Sequence, residues 1–184
     1  GRIQIVFPVS DLHLEKRLRI SRKEGLKIIK DSIKFAVDSA HEVSWIGEDS
    51  SRADPDYRLE CFSTAADAGA KIVSYADTVG YSVPDDIEND IQNIKNNIRN
   101  DVGIGIHCHN DIGLAVANSL AAVKSGACEI QCTVNGVGER AGNAALEEVV
   151  MALIVRSDHY SAHSYVDTRL LKSTSEMLIE YTGL

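Results

Sequence analysis

His107-Cys108-His109 closes an apolar run, Gly103 to His107, whose composition predicts a β-strand. Residues i and i+2 of a strand point to the same side, so the two imidazoles would reach one point at the strand end, as a divalent metal requires. Two ligands do not make a site, and the competing reading is a pair of polar strand-end residues. Glu48, Asp77 or Asn143 would complete an N/O donor set suited to Zn, Mn or Mg. Cys108 points the other way and reads as core. A second segment, Gly136 to Asn143 (GVGERAGN), lies between a strand and a helix. Its glycines permit close backbone approach, and amides at a helix start favour an anion. The plainer reading is a tight turn with Glu139 and Arg140 paired on the surface. A third segment, Gly47 to Arg52 (GEDSSR), offers Glu48 as a general base or water-orienting group, with Arg52 as a partner for Asp49. Taken alone it reads as a solvated loop with a salt bridge. Thr78 offers a hydroxyl to a carboxylate. His13 either looks into a barrel mouth or lies on the surface, while His41, His159 and His163 read as surface residues.

These groups need elements that bring them together. Five β-rich runs are predicted at residues 3–7, 42–46, 71–75, 103–107 and 129–133. Helical patterns separate them. Leu26, Ile29, Ile33 and Val37 share one face after a Ser21…Glu24 capping box. Asp54-Pro55 opens a second helix, which Gly69 closes, and Pro84 followed by two aspartates opens a third. Leu114, Ala117, Leu120, Ala121 and Val123 line a fourth, and Leu146, Val149, Val150 and Leu153 a fifth. The unit of about 30 residues is a βα unit of a parallel sheet. Ser10, Asp11, His13, Glu48, Asp49, Asp77, Thr78, His107, His109 and Asn135 follow directly on strands. A closed (βα)₈ TIM barrel gathers such positions on one face, whereas an open sheet spreads them along an edge. The expected fold is therefore α/β, five βα units of a TIM barrel in residues 1–156, with a polar connection and the start of a helical extension in residues 157–184.

The chain has 184 residues, 19 basic against 27 acidic, for a net charge of −8. That balance argues against nucleic acid or an anionic membrane surface as the main partner. No apolar run approaches the roughly 20 residues of a membrane span, and four dispersed cysteines suggest reduced thiols and a cytoplasmic protein.

In order and spacing, FPVSDLHLEKRL, EDSSRADPD, ADTVG, HCHNDIGLAVANSLAA and NGVGERAGNAALEEVVMAL resemble the 2-isopropylmalate synthase/homocitrate synthase family, metal-dependent TIM-barrel acyltransferases related to the HMG-CoA lyases. The resemblance covers essentially the whole chain, and GERAGN favours the synthases. It implies a Claisen-type condensation of acetyl-CoA with a 2-oxo acid that chelates a divalent metal, followed by thioester hydrolysis and release of CoA. By motif, His107, His109 and Asn143 are the metal residues. Glu48, His13 and Glu139 form the catalytic set: Glu48 beside the acetyl group or a water, His13 with Thr78 on the oxo-acid carboxylate, Glu139 in support. Ser44 stands where some homocitrate synthases carry an Arg for a second carboxylate, and Ile46 where isopropylmalate synthases usually carry Ser. Ser44 speaks against a diacid, and Ile46 implies an apolar wall open to a smaller substrate. The closing STSEMLIEYTGL resembles isopropylmalate synthases most, so the resemblance leans to 2-oxoisovalerate, with 2-oxoglutarate and pyruvate as alternatives.

The family's first strand carries an Arg-Asp pair, and a His comes from a partner subunit; neither is found in these residues. The expectation is thus a stretch of a larger synthase, without turnover on its own, completed by further strands, a homodimer partner or a companion chain. A non-catalytic subunit is the alternative.

Overall fold

The computed structural model describes residues 1–183. Five parallel strands, β1 (Arg2–Pro8), β2 (Glu42–Glu48), β3 (Ile72–Asp77), β4 (Gly103–Cys108) and β5 (Glu129–Gln131), pair in chain order. Strictly sequential pairing, with no point where the order reverses, is the winding of a barrel wall rather than of a doubly wound sheet. The chain forms part of a TIM barrel.

Helices α1 (Arg22–Val37), α2 (Pro55–Ala68), α3 (Pro84–Asn97), α4 (Ala115–Lys124) and α5 (Leu146–Val155) connect and flank the strands, and α6 (Leu171–Thr182) ends the described chain. Their ends carry the expected chemistry. Ser21 and Glu24 form a reciprocal capping box on α1. The Asp54 carboxylate accepts from the Tyr57 amide at 3.0 Å, and Gly69 closes α2 at φ +117°.

Alternation along the strands sorts the two faces. Val43, Trp45, Val73, Tyr75, Ile104 and Ile106 point to the helices and are buried. Trp45 meets Phe62 of α2 edge to face, with ring centroids 5.0 Å apart. The opposite parity (Gln4, Val6, Ile46, Ala76, His107, Gln131) lines the concave side.

Two helix faces differ from expectation. On α1 the buried stripe runs through Ile29, Ile33 and Ala36, while Val37 is 43% exposed, because the helix turns its last turn's small residue to the sheet. On α4, Ala117 is exposed and the polar Asn118 and Ser119 are buried. Both polar groups are hydrogen-bonded: Asn118 Nδ2 donates to the Ser82 carbonyl at 2.7 Å, and Ser119 Oγ to the Ala115 carbonyl at 2.8 Å. β5 stops at Gln131 rather than 133, since Thr133 bridges Ala145 and donates to the Ala144 carbonyl instead.

Candidate active site

A cavity of about 260 Å³ opens at the carboxyl ends of the strands, lined by Gln4, Val6, Ile46, Glu48, Ala76, Thr78, His107, His109, Gln131 and Glu139. On its β4 side the two imidazoles converge, with Nε2 atoms 3.3 Å apart. His107 Nδ1 faces Gln131 Oε1 at 3.2 Å. A carbonyl acceptor there places the proton on Nδ1 and leaves the Nε2 lone pair toward the cavity. Burial holds the His107 imidazole below its ordinary pKa, which favours the neutral form a ligand needs.

Asn143 joins them through backbone as well as side chain. A bridge pairs His109 with Asn143, and the Asn110 and Ala144 amides donate to the Gly142 and Cys108 carbonyls at 2.9 and 3.1 Å. Asn143 Nδ2 stands 3.0 Å from His107 Nε2, and the amide turned over presents Oδ1 there. The loop achieves this through Gly136 and Gly142 at φ +65° and +91°; a Cβ at Gly142 would lie 2.1 Å from the Gly136 carbonyl oxygen. Arg140 does more than pair with Glu139. Its fork takes Asp111 at 2.6 and 2.8 Å and donates to the Thr78 carbonyl at 2.8 Å, which ties the loop to β3.

Among the described residues, no three His, Cys, Asp or Glu side chains converge as a metal cage. What converges is two imidazoles and one amide. Two nitrogens bound at about 2.1 Å in adjacent positions of one ion lie roughly 3.0–3.4 Å apart, so the observed 3.3 Å fits a divalent metal. Among the described residues, the buried His109 Nδ1 has no hydrogen-bond partner. Asp77, expected as a possible oxygen donor, is not one. Its carboxylate accepts from the Tyr81 and Ser82 amides at 3.0 and 3.2 Å on the helix side of β3. Cys108 is core as expected, its thiol pushed up to about 12 by burial.

The β2 side is built differently. Glu48 is gripped by Arg17, each carboxylate oxygen 2.7 Å from a guanidinium nitrogen, and His13 Nδ1 stands 3.4 Å from Glu48 Oε1. Arg17 and His13 come from the same stretch, a short turn Asp11–His13 running into a π-helical turn, Leu14–Leu18. Single π turns recur at functional sites because they re-aim a side chain. Asp49 is fully buried, at φ +64°, with its carboxylate on Arg52 at 2.8 and 2.9 Å as the sequence suggested. Its amide donates to Thr78 Oγ1 at 2.8 Å, which leaves the Thr78 hydroxyl proton free to be donated.

Ile46 and Thr78 thus face the cavity, whereas Ser44 is buried one strand repeat deeper and is not among its lining residues. Glu139 reaches the rim, 75% exposed and 3.8 Å from His109 Nε2. Asn135 is set apart from the cavity, its amide donating to Glu147 Oε2 at 3.0 Å. Sequence reading missed Arg17, whose tie to Glu48 spans 31 residues and carries no local signature.

The HMGL-like family model matches residues 1–178. Similar proteins include 2-isopropylmalate synthase 1 of Caldanaerobacter subterraneus subsp. tengcongensis, 44% identical over all of this chain and 47% of its own length. The 2-isopropylmalate synthase of Clostridium kluyveri is 42% identical over all of this chain and 36% of its own length. The chain therefore spans less than half of either relative. In fold it superposes on hydroxymethylglutaryl-CoA lyase from Pseudomonas aeruginosa with a TM-score of 0.84 at 19% identity, covering 100% of this chain and 63% of that one. A sequentially wound barrel wall, a paired-histidine strand end and a match over nearly every residue lead to one conclusion: the chain belongs to the HMGL-like family, and within it is similar in sequence to 2-isopropylmalate synthases.

Proposed function

We propose that the protein carrying these residues condenses acetyl-CoA with a 2-oxo acid, 2-oxoisovalerate for preference, in amino-acid biosynthesis. The observation that carries this reading is the placement of His107, His109 and Asn143 across one cavity from Glu48 and Thr78. His107, His109 and Asn143 would hold a divalent ion, which when bound supplies Lewis-acid polarisation of the keto group. The chain's own groups divide the remaining work. Thr78 donates its free hydroxyl proton to the oxo-acid carboxylate, and His13, 3.4 Å from Glu48, would assist from that side. Glu48, fixed by Arg17, faces the acetyl group and orients the water that later cleaves the thioester. In the overall reaction the acetyl methyl carbon loses a proton and bonds to the keto carbon, whose oxygen becomes a hydroxyl. Water then breaks the C–S bond and CoA leaves as a thiol. Ile46 and Val6 give the cavity an apolar wall that suits a branched aliphatic chain better than a second carboxylate.

A thiol-release assay tests this on the full-length protein with acetyl-CoA, Mn²⁺, Zn²⁺ or Mg²⁺ and a panel of 2-oxo acids. Release with 2-oxoisovalerate above 2-oxoglutarate and pyruvate is expected, and residues 1–184 alone should give none. Cleavage of HMG-CoA without any condensation would replace this reading with a lyase. Silence in both assays would favour a non-catalytic subunit.

A further inference from the structure

One buried charge lies outside the chemistry above. Arg58, on α2, is 3% exposed. Its guanidinium pairs through Nη2 with Asp90 of α3, whose other oxygen accepts from Tyr75 Oη at 2.8 Å, and it lies over the Tyr75 ring at 5.5 Å. Burying such a network gives no general stability advantage over apolar side chains of the same volume. What an apolar side chain cannot reproduce is the third contact: Arg58 Nη1 donates to the Ser50 carbonyl at 2.9 Å.

Ser50 opens the turn that follows Glu48. The preceding Asp49 is held in the left-handed region, a conformation that is unfavourable for a non-glycine residue unless its surroundings enforce it. From this same turn the Asp49 amide reaches Thr78 Oγ1 and the Glu48 carbonyl accepts from the Val9 amide at 2.9 Å. Alongside the Arg52 fork on Asp49, the Arg58 guanidinium thereby braces the turn that sets Glu48 on β2 against Thr78 after β3. We propose that Arg58, braced by Asp90 and Tyr75, is a positioning residue for the Glu48–Thr78 side of the cavity and so governs how tightly the oxo-acid carboxylate is held. This inference rests on the function proposed above.

The test replaces the network by apolar side chains in the full-length protein, as Arg58→Leu with Asp90→Leu and Tyr75→Phe. The thermal midpoint should stay within about 3 °C, because packing substitutes for the ion pair. Amide hydrogen exchange across residues 49–53 should rise about tenfold or more, and KM for the 2-oxo acid should rise about tenfold with kcat changed less. Wild-type exchange together with wild-type KM in a stably folded variant would overturn the proposal. Should the triple variant fail to fold, Tyr75→Phe alone decides on the same readouts, with smaller shifts in the same direction expected and none overturning it. If the wild-type protein condenses no 2-oxo acid, the exchange measurement still decides the positioning role, so the two failures are distinguishable.

Discussion

The two sides of the cavity are built on opposite plans. At the β4 end, the His107 and His109 Nε2 atoms converge at the cavity 3.3 Å apart, with the Asn143 amide 3.0 Å from His107 and no cation matched to either ring. At the β2 end each carboxylate is already matched to a cation: Glu48 to Arg17, Asp49 to Arg52, and Asp11 nearby to Arg22. One side has coordination capacity left over; the other has spent its charge internally on holding shape. On the function proposed above, the contrast would separate binding a metal from orienting a carboxylate, two tasks whose requirements conflict. A metal ligand must keep a lone pair free, whereas a base whose geometry matters is best fixed by a forked donor.

Removing a member of the unsaturated side breaks the comparison most severely. His107→Ala should weaken Mn²⁺ or Zn²⁺ binding on the order of 100-fold or more, read by isothermal titration, since one of only two imidazoles is lost. Undiminished affinity would mean the metal lies elsewhere. The saturated side should respond differently. Arg17→Ala frees Glu48 from its fork and should lower kcat about tenfold while leaving metal affinity unchanged. A parallel fall in metal affinity would show that the two sides are not separable.

The smallest effect concerns the outer pair at the saturated end. Hydrogen bonding to Arg22 holds the Asp11 carboxyl below its usual range. A depressed folded-state pKa contributes stability that is complete above the unfolded value near 3.9 and is lost as the pH falls through the folded value. Both side chains are over a third exposed, so solvent reduces the contribution to under about 1 kcal/mol. Urea unfolding of wild type and Asp11→Asn should therefore differ by that much at pH 6 and converge near pH 2. A difference that persists at pH 2 would assign the effect to packing instead.

Much of the frame could be read from the sequence because local chemistry wrote it there. The Ser21 box, the Asp54-Pro55 start and the Gly69 stop each act within one helical turn, and each is found as expected. The i, i+2 histidines likewise meet, since alternation in a strand needs nothing from the rest of the chain. What escaped is what the tertiary structure decides. Val37 and Ala36 compete for one face by a rotation of 100° per residue, and only the sheet settles it. Asn118 and Ser119 look like solvent-facing residues until α4 brings them against a loop carbonyl and its own backbone. Asp77 has the right side chain at a strand end but the wrong parity for the cavity. Arg17 and Arg58 find their acidic partners 31 and 32 residues away, a distance over which spacing says nothing.

The bridge between His109 and Asn143 has a consequence for how this site can change over time. Because backbone hydrogen bonds rather than rotamers set the separation of the two positions, the frame is indifferent to which side chains it carries. A His, Asn, Asp or Glu exchanged at one of them would alter the hardness of the donor set without moving its neighbours. On the proposed function, metal preference would be free to drift by single substitutions, while Gly142, whose added Cβ would meet the Gly136 carbonyl oxygen at 2.1 Å, is the position of the frame least open to change.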